Sequence, residues 1–192
     1  MSDEKSGIFE YEEEKTILQL DGDNCWIHLW IDGYYKDLEE PDDEEPWNLE
    51  EYYPEDVVRN ALHCGRNLSA KEGLGGAWMF ECEFILAGEV AELRKRFEAL
   101  RDGRSEGFEA YPEHYIGGVG EPFMQFSAIR EGEGTRVQLT LHPACDVENY
   151  DILLGRKELE DLCAYFKRIN EWFPPVGPGE KQRSRWAKKK TD

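Results

Sequence analysis

Most apolar positions in this chain recur every second residue, which predicts β-strands with one buried face. The clearest stretch is 78–86, where the alternating bulky side chains are Trp78, Phe80, Cys82, Phe84 and Leu86. The same period predicts strands within 16–31, 60–69, 123–141 and 150–154, and a short first strand at 8–11. Asp32-Gly33 predicts a hairpin turn after the strand at 25–31, and both faces of that strand are bulky, which favours a central position.

Two stretches follow a helical period instead. Each presents an apolar stripe at spacings of three and four, made of Val90, Leu93, Phe97 and Leu100 in one and of Leu159, Leu162, Cys163, Phe166, Ile169 and Phe173 in the other. Pro174-Pro175 ends the second helix. Each helix directly follows a strand, so the unit at 78–100 is echoed at 150–173, although the two share little sequence identity.

These elements predict an α+β fold, with a mainly antiparallel sheet and two amphipathic helices packed on it. We expect one domain over residues 1–176, followed by a basic tail over 177–192 that forms a disordered end. The glycine-rich stretch 103–120 predicts an irregular connector onto which Tyr111 and Tyr115 pack.

The charge changes this picture, because the formal net charge is −19. Such a field repels nucleic acid and anionic membranes and attracts basic protein surfaces. The five cysteines are odd in number and lack metal-site spacing, and most lie within apolar patterns, which indicates reduced thiols. There is no signal-peptide pattern at Met1 and no apolar run long enough to span a membrane, so we expect a cytoplasmic protein.

Residues 37–56, called the acidic segment below, contain eleven acidic residues and no Lys or Arg. Its three prolines exclude a continuous regular element. A solvated surface loop is one interpretation, and a partner-binding edge is the other. Aromatic residues beside the charges favour the second, because aromatic side chains anchor interfaces. The candidate binding residues are Asp42, Asp43, Glu44, Glu45, Trp47, Glu50, Glu51 and Tyr52.

The tail carries six basic residues after Glu180. A solubilising end, a strap onto the acidic segment and a nucleic-acid contact all remain open, although the acidic domain disfavours direct nucleic-acid binding.

No catalytic residues, cofactor-binding residues or metal ligands are predicted. Gly73-Leu74-Gly75-Gly76 precedes a strand, whereas a phosphate-binding loop opens a helix. His63-Cys64, Cys82, His142 and Cys145 lack the closely spaced pairs of structural zinc sites. We therefore expect a non-enzymatic protein without a cofactor.

The middle and second half of the chain resemble WapI-type bacterial immunity proteins over residues 24–176. The resemblance rests on Asn60-Ala61-Leu62-His63-Cys64, Leu68-Ser69-Ala70, Gly75-Gly76-Ala77-Trp78-Met79-Phe80, Glu89-Val90-Ala91-Glu92-Leu93, Glu121-Pro122-Phe123-Met124-Gln125-Phe126, Val137-Gln138-Leu139-Thr140-Leu141 and Phe173-Pro174-Pro175. It implies a cytoplasmic antitoxin that binds and neutralises the C-terminal domain of a polymorphic or contact-dependent inhibition toxin. Neither the acidic segment nor the basic tail belongs to the general pattern of the family.

The leading hypothesis is thus an immunity protein whose acidic surface occupies the basic surface of a cognate toxin, such as a nuclease. Two alternatives stay open: an acidic adaptor or nucleic-acid mimic that binds several basic proteins, and an unrecognised enzyme, which a deep pocket with a strongly shifted titratable group would favour. The sequence does not indicate the oligomeric state.

Overall fold

The computed structural model describes residues 7–11, 15–22, 25–34, 53–70, 77–111, 124–141 and 148–180. Within these ranges the chain forms nine strands and three helices. The strands are β1 (Gly7–Tyr11), β2 (Lys15–Asp21), β3 (Cys25–Tyr34), β4 (Ala61–Ala70), β5 (Ala77–Leu86), β6 (Gly107–Tyr111), β7 (Met124–Glu131), β8 (Gly134–Leu141) and β9 (Glu148–Leu154). The helices are α1 (Glu55–Asn60), α2 (Ala87–Arg101) and α3 (Arg156–Trp172).

The strands form two antiparallel sheets, each with its strands in sequence order. Sheet one has the order β1-β2-β3-β4-β5, and sheet two has the order β6-β7-β8-β9. The predicted α+β class with antiparallel pairing and two packed amphipathic helices is confirmed. The strands divide into two sheets, however, where the sequence predicted one. Each sheet is followed directly by a long helix, so the predicted echo covers a whole meander-and-helix unit.

The central position predicted for the strand at 25–31 is confirmed, since β3 is the middle strand of sheet one. The hairpin turn predicted at Asp32-Gly33 is wrong. β3 continues to Tyr34, and the register with β4 shifts between Ile31 and Gly33. A bulge of this kind accommodates an extra residue without ending the strand. Burial of Tyr34 in the core favours this continuation.

The stretch 103–120 was predicted to be irregular. This holds for residues 103–106, which form a turn and a bend, and is wrong for residues 107–111, which form a strand. β6 pairs with β7 over residues 107–111, with a register shift between Phe108 and Tyr111. Both aromatic side chains pack against the core, and the Tyr111 ring lies 4.3 Å from the Arg96 guanidinium carbon. Core packing and pairing with the edge of β7 therefore outweigh the weak strand propensity of a glycine-rich sequence. Tyr115 lies outside the described residues.

The two long helices pack against each other and contact both sheets. Phe97 of α2 stacks on Phe166 of α3 with ring centroids 5.8 Å apart, and both rings meet Phe126 of sheet two edge to face. The preceding residue of α3, Tyr165, places its hydroxyl 3.5 Å from the carbonyl oxygen of Leu29 in sheet one. One buried cluster thus contains side chains from both sheets and both helices.

The predicted apolar stripes are confirmed, because all ten of their side chains are buried. α3 also buries Tyr165 and Asn170, which widens its apolar face beyond the predicted stripe. A helix that contacts two sheets is buried over a broader arc than one lying on a single sheet. Among the described cysteines, Cys64 and Cys163 are buried, as predicted, and Cys163 is a free thiol. No helix in the described part of the chain is long and apolar enough to cross a membrane.

Candidate protein-binding surface

The eight predicted binding residues, Asp42, Asp43, Glu44, Glu45, Trp47, Glu50, Glu51 and Tyr52, lie outside the described residues. What the structure does describe is the chain on both sides of them. β3 ends at Tyr34, the description resumes at Tyr53, and β4 pairs with β3 directly afterwards. The acidic segment therefore connects two neighbouring strands in the middle of sheet one.

Tyr34 fixes the chain before the acidic segment. Its side chain is fully buried, and its ring meets the Phe173 ring edge to face at 5.6 Å. Its hydroxyl donates a hydrogen bond to the carbonyl oxygen of Pro174. The residues that directly follow α3 are thus attached to the strand that leads into the acidic segment.

Helix α1 fixes the chain after it. Pro54 precedes the helix, and its carbonyl oxygen accepts hydrogen bonds from the N–H groups of Val57 and Val58. Proline suits this position because it has no N–H to leave unpaired and its φ is already restricted. Val57 and Val58 bury their side chains in a small cluster with Ala61 and Leu86, against which Tyr53 packs.

Asn60, the last residue of α1, holds the C-terminal arm (residues 174–180) with paired hydrogen bonds. Its Nδ2 donates to the carbonyl oxygen of Val176 at 3.0 Å, and the Val176 N–H donates to its Oδ1 at 2.7 Å. The amide side chain pairs with the backbone as a neighbouring strand would.

Arg59 adds a second link between α1 and the arm. Its guanidinium donates to the carbonyl oxygen of Gly177 at 3.4 Å and also forms an ion pair with Glu55. The arm then turns at residues 177–180, where the Glu180 N–H donates to the Gly177 carbonyl oxygen at 3.1 Å. The start of the basic tail therefore lies beside the end of the acidic segment.

The described end of the acidic segment is open to solvent. Pro54, Glu55 and Asp56 are all exposed, with the Glu55 side chain at 84% of its full accessibility. Over residues 54–60 the two carboxylates of Glu55 and Asp56 are accompanied by one positive charge, that of Arg59. The acidic character predicted for the segment thus reaches the described surface at Glu55 and Asp56.

A buried carboxylic acid lies close to this region. Glu89, in the first turn of α2, accepts a hydrogen bond at Oε2 from the N–H of Leu86 at 2.8 Å. Burial raises the pKa of Glu89 to about 7, while the backbone hydrogen bond acts in the opposite direction. Leu86 belongs to the same small cluster as Val57 and Val58, so this acid bonds to the backbone of a residue that packs against α1.

The described residues offer little reactive chemistry. No three His, Cys, Asp or Glu side chains among them are grouped to hold a metal ion. Burial raises the pKa of the Cys163 thiol to about 11, so at neutral pH this cysteine is protonated and weakly nucleophilic.

Sequence reasoning missed the residues that anchor the described chain on both sides of the acidic segment. The sequence pattern places Asn60 at the start of a predicted strand and Tyr34 beyond a predicted turn. It gives Arg59 no role. Nothing in the local sequence marks Asn60, because its partner is 116 positions away. Glu89 had a detectable signal: a glutamate three residues after a helix N-cap is the spacing of a capping box.

The sequence matches no protein-family model, and a search of curated proteins finds no match. The resemblance to WapI-type immunity proteins accordingly stays a prediction.

Proposed function

We propose that this protein is an immunity protein, a protein-binding inhibitor that neutralises a basic toxin domain through its acidic segment. The observation that supports this most is the anchoring of the described chain on both sides of that segment. Tyr34 and α1 hold the two flanks against the same C-terminal arm, through Pro174, Val176 and Gly177. A segment fixed at both ends loses less conformational entropy on binding than a free tail of equal charge.

The charge of the whole chain also supports this function. A net charge of −19 speeds the approach of a basic partner over distances of about a Debye length, roughly 10 Å at 0.1 M salt. An enzyme that acts on nucleic acid exposes basic residues to the phosphates, and an acidic inhibitor can occupy the same surface. The implied partner is the C-terminal domain of a toxin, with no direct contact to nucleic acid.

The test uses the cognate toxin domain, which we expect to be the variable C-terminal domain of a large secreted protein encoded beside this chain. In the variant, six acids of the segment become uncharged: Asp42→Asn, Asp43→Asn, Glu44→Gln, Glu45→Gln, Glu50→Gln and Glu51→Gln. We expect the association rate constant at low salt to fall by roughly tenfold or more, and its dependence on salt to become weaker. Stopped-flow mixing over a range of salt concentrations measures both.

A matched control changes the same number of charges elsewhere. It neutralises exposed acids elsewhere in the described chain, namely Asp102, Glu106, Glu109, Glu133, Glu160 and Glu171. Equal slowing in both variants would show that net charge alone acts, and would refute the site. Tight binding of the wild-type chain to a panel of unrelated basic proteins would instead favour an acidic adaptor or nucleic-acid mimic.

A further inference from the structure

Strand β9 forms one edge of sheet two, and its backbone geometry is regular along its whole length. All seven of its residues pair with β8 in an unbroken register, from Thr135 opposite Leu154 to Leu141 opposite Glu148. No described strand pairs with its other side. The outer backbone N–H and C=O groups of such a strand are positioned to pair with another extended chain.

The other sheet edges carry features that hinder such pairing. β6, the opposite edge of sheet two, is five residues long and its register is broken between Phe108 and Tyr111. In sheet one, the register of β5 with β4 shifts between Cys64 and Arg66, and β1 contacts α3. Bulges, short edges and covering helices all discourage strand addition. β9 contains no proline, no lysine and no bulge.

β9 is also held firmly in place. Ile152 and Leu154 are buried in the core shared by both sheets, and Tyr150 packs against it. Gly155 then leads directly into α3. An edge fixed in this way needs little ordering before it pairs with another strand, which favours binding.

The outer face of β9 specifies the kind of strand that fits. Asp151 and Leu153 are exposed two residues apart on that face. Leu153, exposed by 53%, shares a cross-strand row with Arg136 and with Ile129, exposed by 58%. These two are the large apolar side chains that the described surface exposes most. An added strand would place a side chain beside Asp151 and a second one beside Leu153.

A second copy of this chain fits the edge poorly. Antiparallel pairing of two β9 strands over their full length, centred on Asp151, places one Asp151 opposite the other, and like charges directly opposite each other destabilise a sheet. Each copy also carries a net charge of −19. A basic side chain opposite Asp151 removes the repulsion between like charges at that position. A basic partner is also attracted by the net negative charge of the chain.

We propose that β9 is a docking edge for an extended, basic segment of a partner protein, which adds to sheet two as a fifth strand. The segment carries Lys or Arg opposite Asp151 and an apolar residue opposite Leu153. This surface does not depend on the acidic segment, so the two assignments succeed or fail separately.

The test uses three short peptides and the full chain. The first repeats Lys-Thr-Val-Thr, which places Lys and Val two residues apart on one face (the Lys–Val peptide). The second replaces each Lys by Glu (the Glu–Val peptide). The third replaces each Thr by Pro (the Lys–Pro peptide), which keeps the charge but cannot form a ladder. Amide hydrogen exchange is measured residue by residue. We expect the Lys–Val peptide to protect every second amide of residues 148–154, because alternate amides of an edge strand point away from its neighbour. The other two peptides should leave these amides unprotected.

Asp151→Lys provides the matched variant, since the side chain is exposed and the substitution leaves the core intact. The substitution should weaken the binding of the Lys–Val peptide roughly tenfold and allow the Glu–Val peptide to bind. Protection by the Lys–Val peptide should persist when the acids of the acidic segment are neutralised.

Three results would overturn the proposal. One is equal protection of β9 by the Lys–Pro peptide, which would indicate charge attraction without strand addition. Another is no protection of β9 by any peptide. The third is protection of β9 in the free protein that rises with protein concentration, together with a dimer in sedimentation, which would make a second copy the occupant.

Discussion

At the scale of single residues, the side chains that matter most for the candidate surface are polar groups with specific backbone partners. Asn60 pairs with both polar groups of the Val176 backbone, and Glu89 accepts the N–H of Leu86. Such bonds contribute modestly when present, but a buried group left without its partner costs about 1–3 kcal/mol. Position in the fold therefore gives these two residues their importance.

Glu89 predicts a dependence of stability on pH. Its pKa rises from 4.5 in the unfolded chain to about 7 in the folded protein, so the folded state binds the proton more tightly. The stabilisation from this group is full below pH 4.5 and is lost as the pH rises to about 7, a change of about 3 kcal/mol. Glu89→Gln keeps the acceptor without the charge. Relative to wild type, its free energy of unfolding should rise by about that amount between pH 4.5 and pH 7.5 in denaturant titrations.

Glu89→Ala is the comparison variant, because alanine removes both the charge and the acceptor for Leu86. It should show the same pH trend, offset by about 1 kcal/mol of lost capping at every pH. A difference between Glu89→Gln and wild type that stays constant with pH would contradict this account.

At the scale of elements, α1 is the joint between the acidic segment and the rest of the fold. It is only six residues long, and a helix this short is unstable alone. Its stability comes from Val57 and Val58 packing against Leu86, and from Asn60 and Arg59 bonding to the C-terminal arm. α1 and the arm should therefore gain or lose order together.

Asn60→Ala tests this coupling. The substitution removes both hydrogen bonds to Val176, and we expect a loss of about 1–3 kcal/mol in the free energy of unfolding. Amide exchange should quicken in residues 55–60 and 174–180 more than in β8. The matched control is Asn149→Ala, whose side chain is exposed and bonds only to Thr140 in the described structure, and which should change stability by less than about 0.5 kcal/mol. Faster exchange confined to residues 174–180 would mean that α1 is stable without the arm.

At the scale of the whole molecule, two meander-and-helix units share one core. Phe97, Phe126 and Phe166 form a ring cluster drawn from both helices and sheet two, and Tyr165 reaches sheet one. Neither helix belongs to one sheet alone. A shared core of this kind predicts that both sheets unfold in one cooperative transition.

Phe166→Ala tests the cooperativity. Truncating a fully buried Phe costs about 3–5 kcal/mol. If the molecule unfolds as one unit, native-state exchange should report the same loss for amides in β3 and in β8. A loss in β8 with β3 unchanged would show that the two sheets unfold independently.

The sequence by itself determined the class of fold, the central place of β3 and both helical stripes. These depend on alternation and on spacings of three and four, which are local properties read within about ten residues. It also determined the concentration of acidic charge in residues 37–56. It did not determine the division into two sheets, the strand at 107–111 or the passage of β3 through Asp32-Gly33. Those outcomes depend on which strand edge and which core lie nearby.

Only the tertiary structure decided how the chain on both sides of the acidic segment is anchored and which of the described sheet edges stays regular. The contacts of Tyr34 with Pro174 and of Asn60 with Val176 join positions more than 100 residues apart, and no local pattern encodes such pairs. β9 is an edge strand because it comes last in the order of the described strands of sheet two. Whether a strand lies at an edge depends on its neighbours in the sheet and not on its own sequence. Hydrophobic periodicity selects the elements, and long-range packing and hydrogen bonding then decide which of their surfaces a partner can reach.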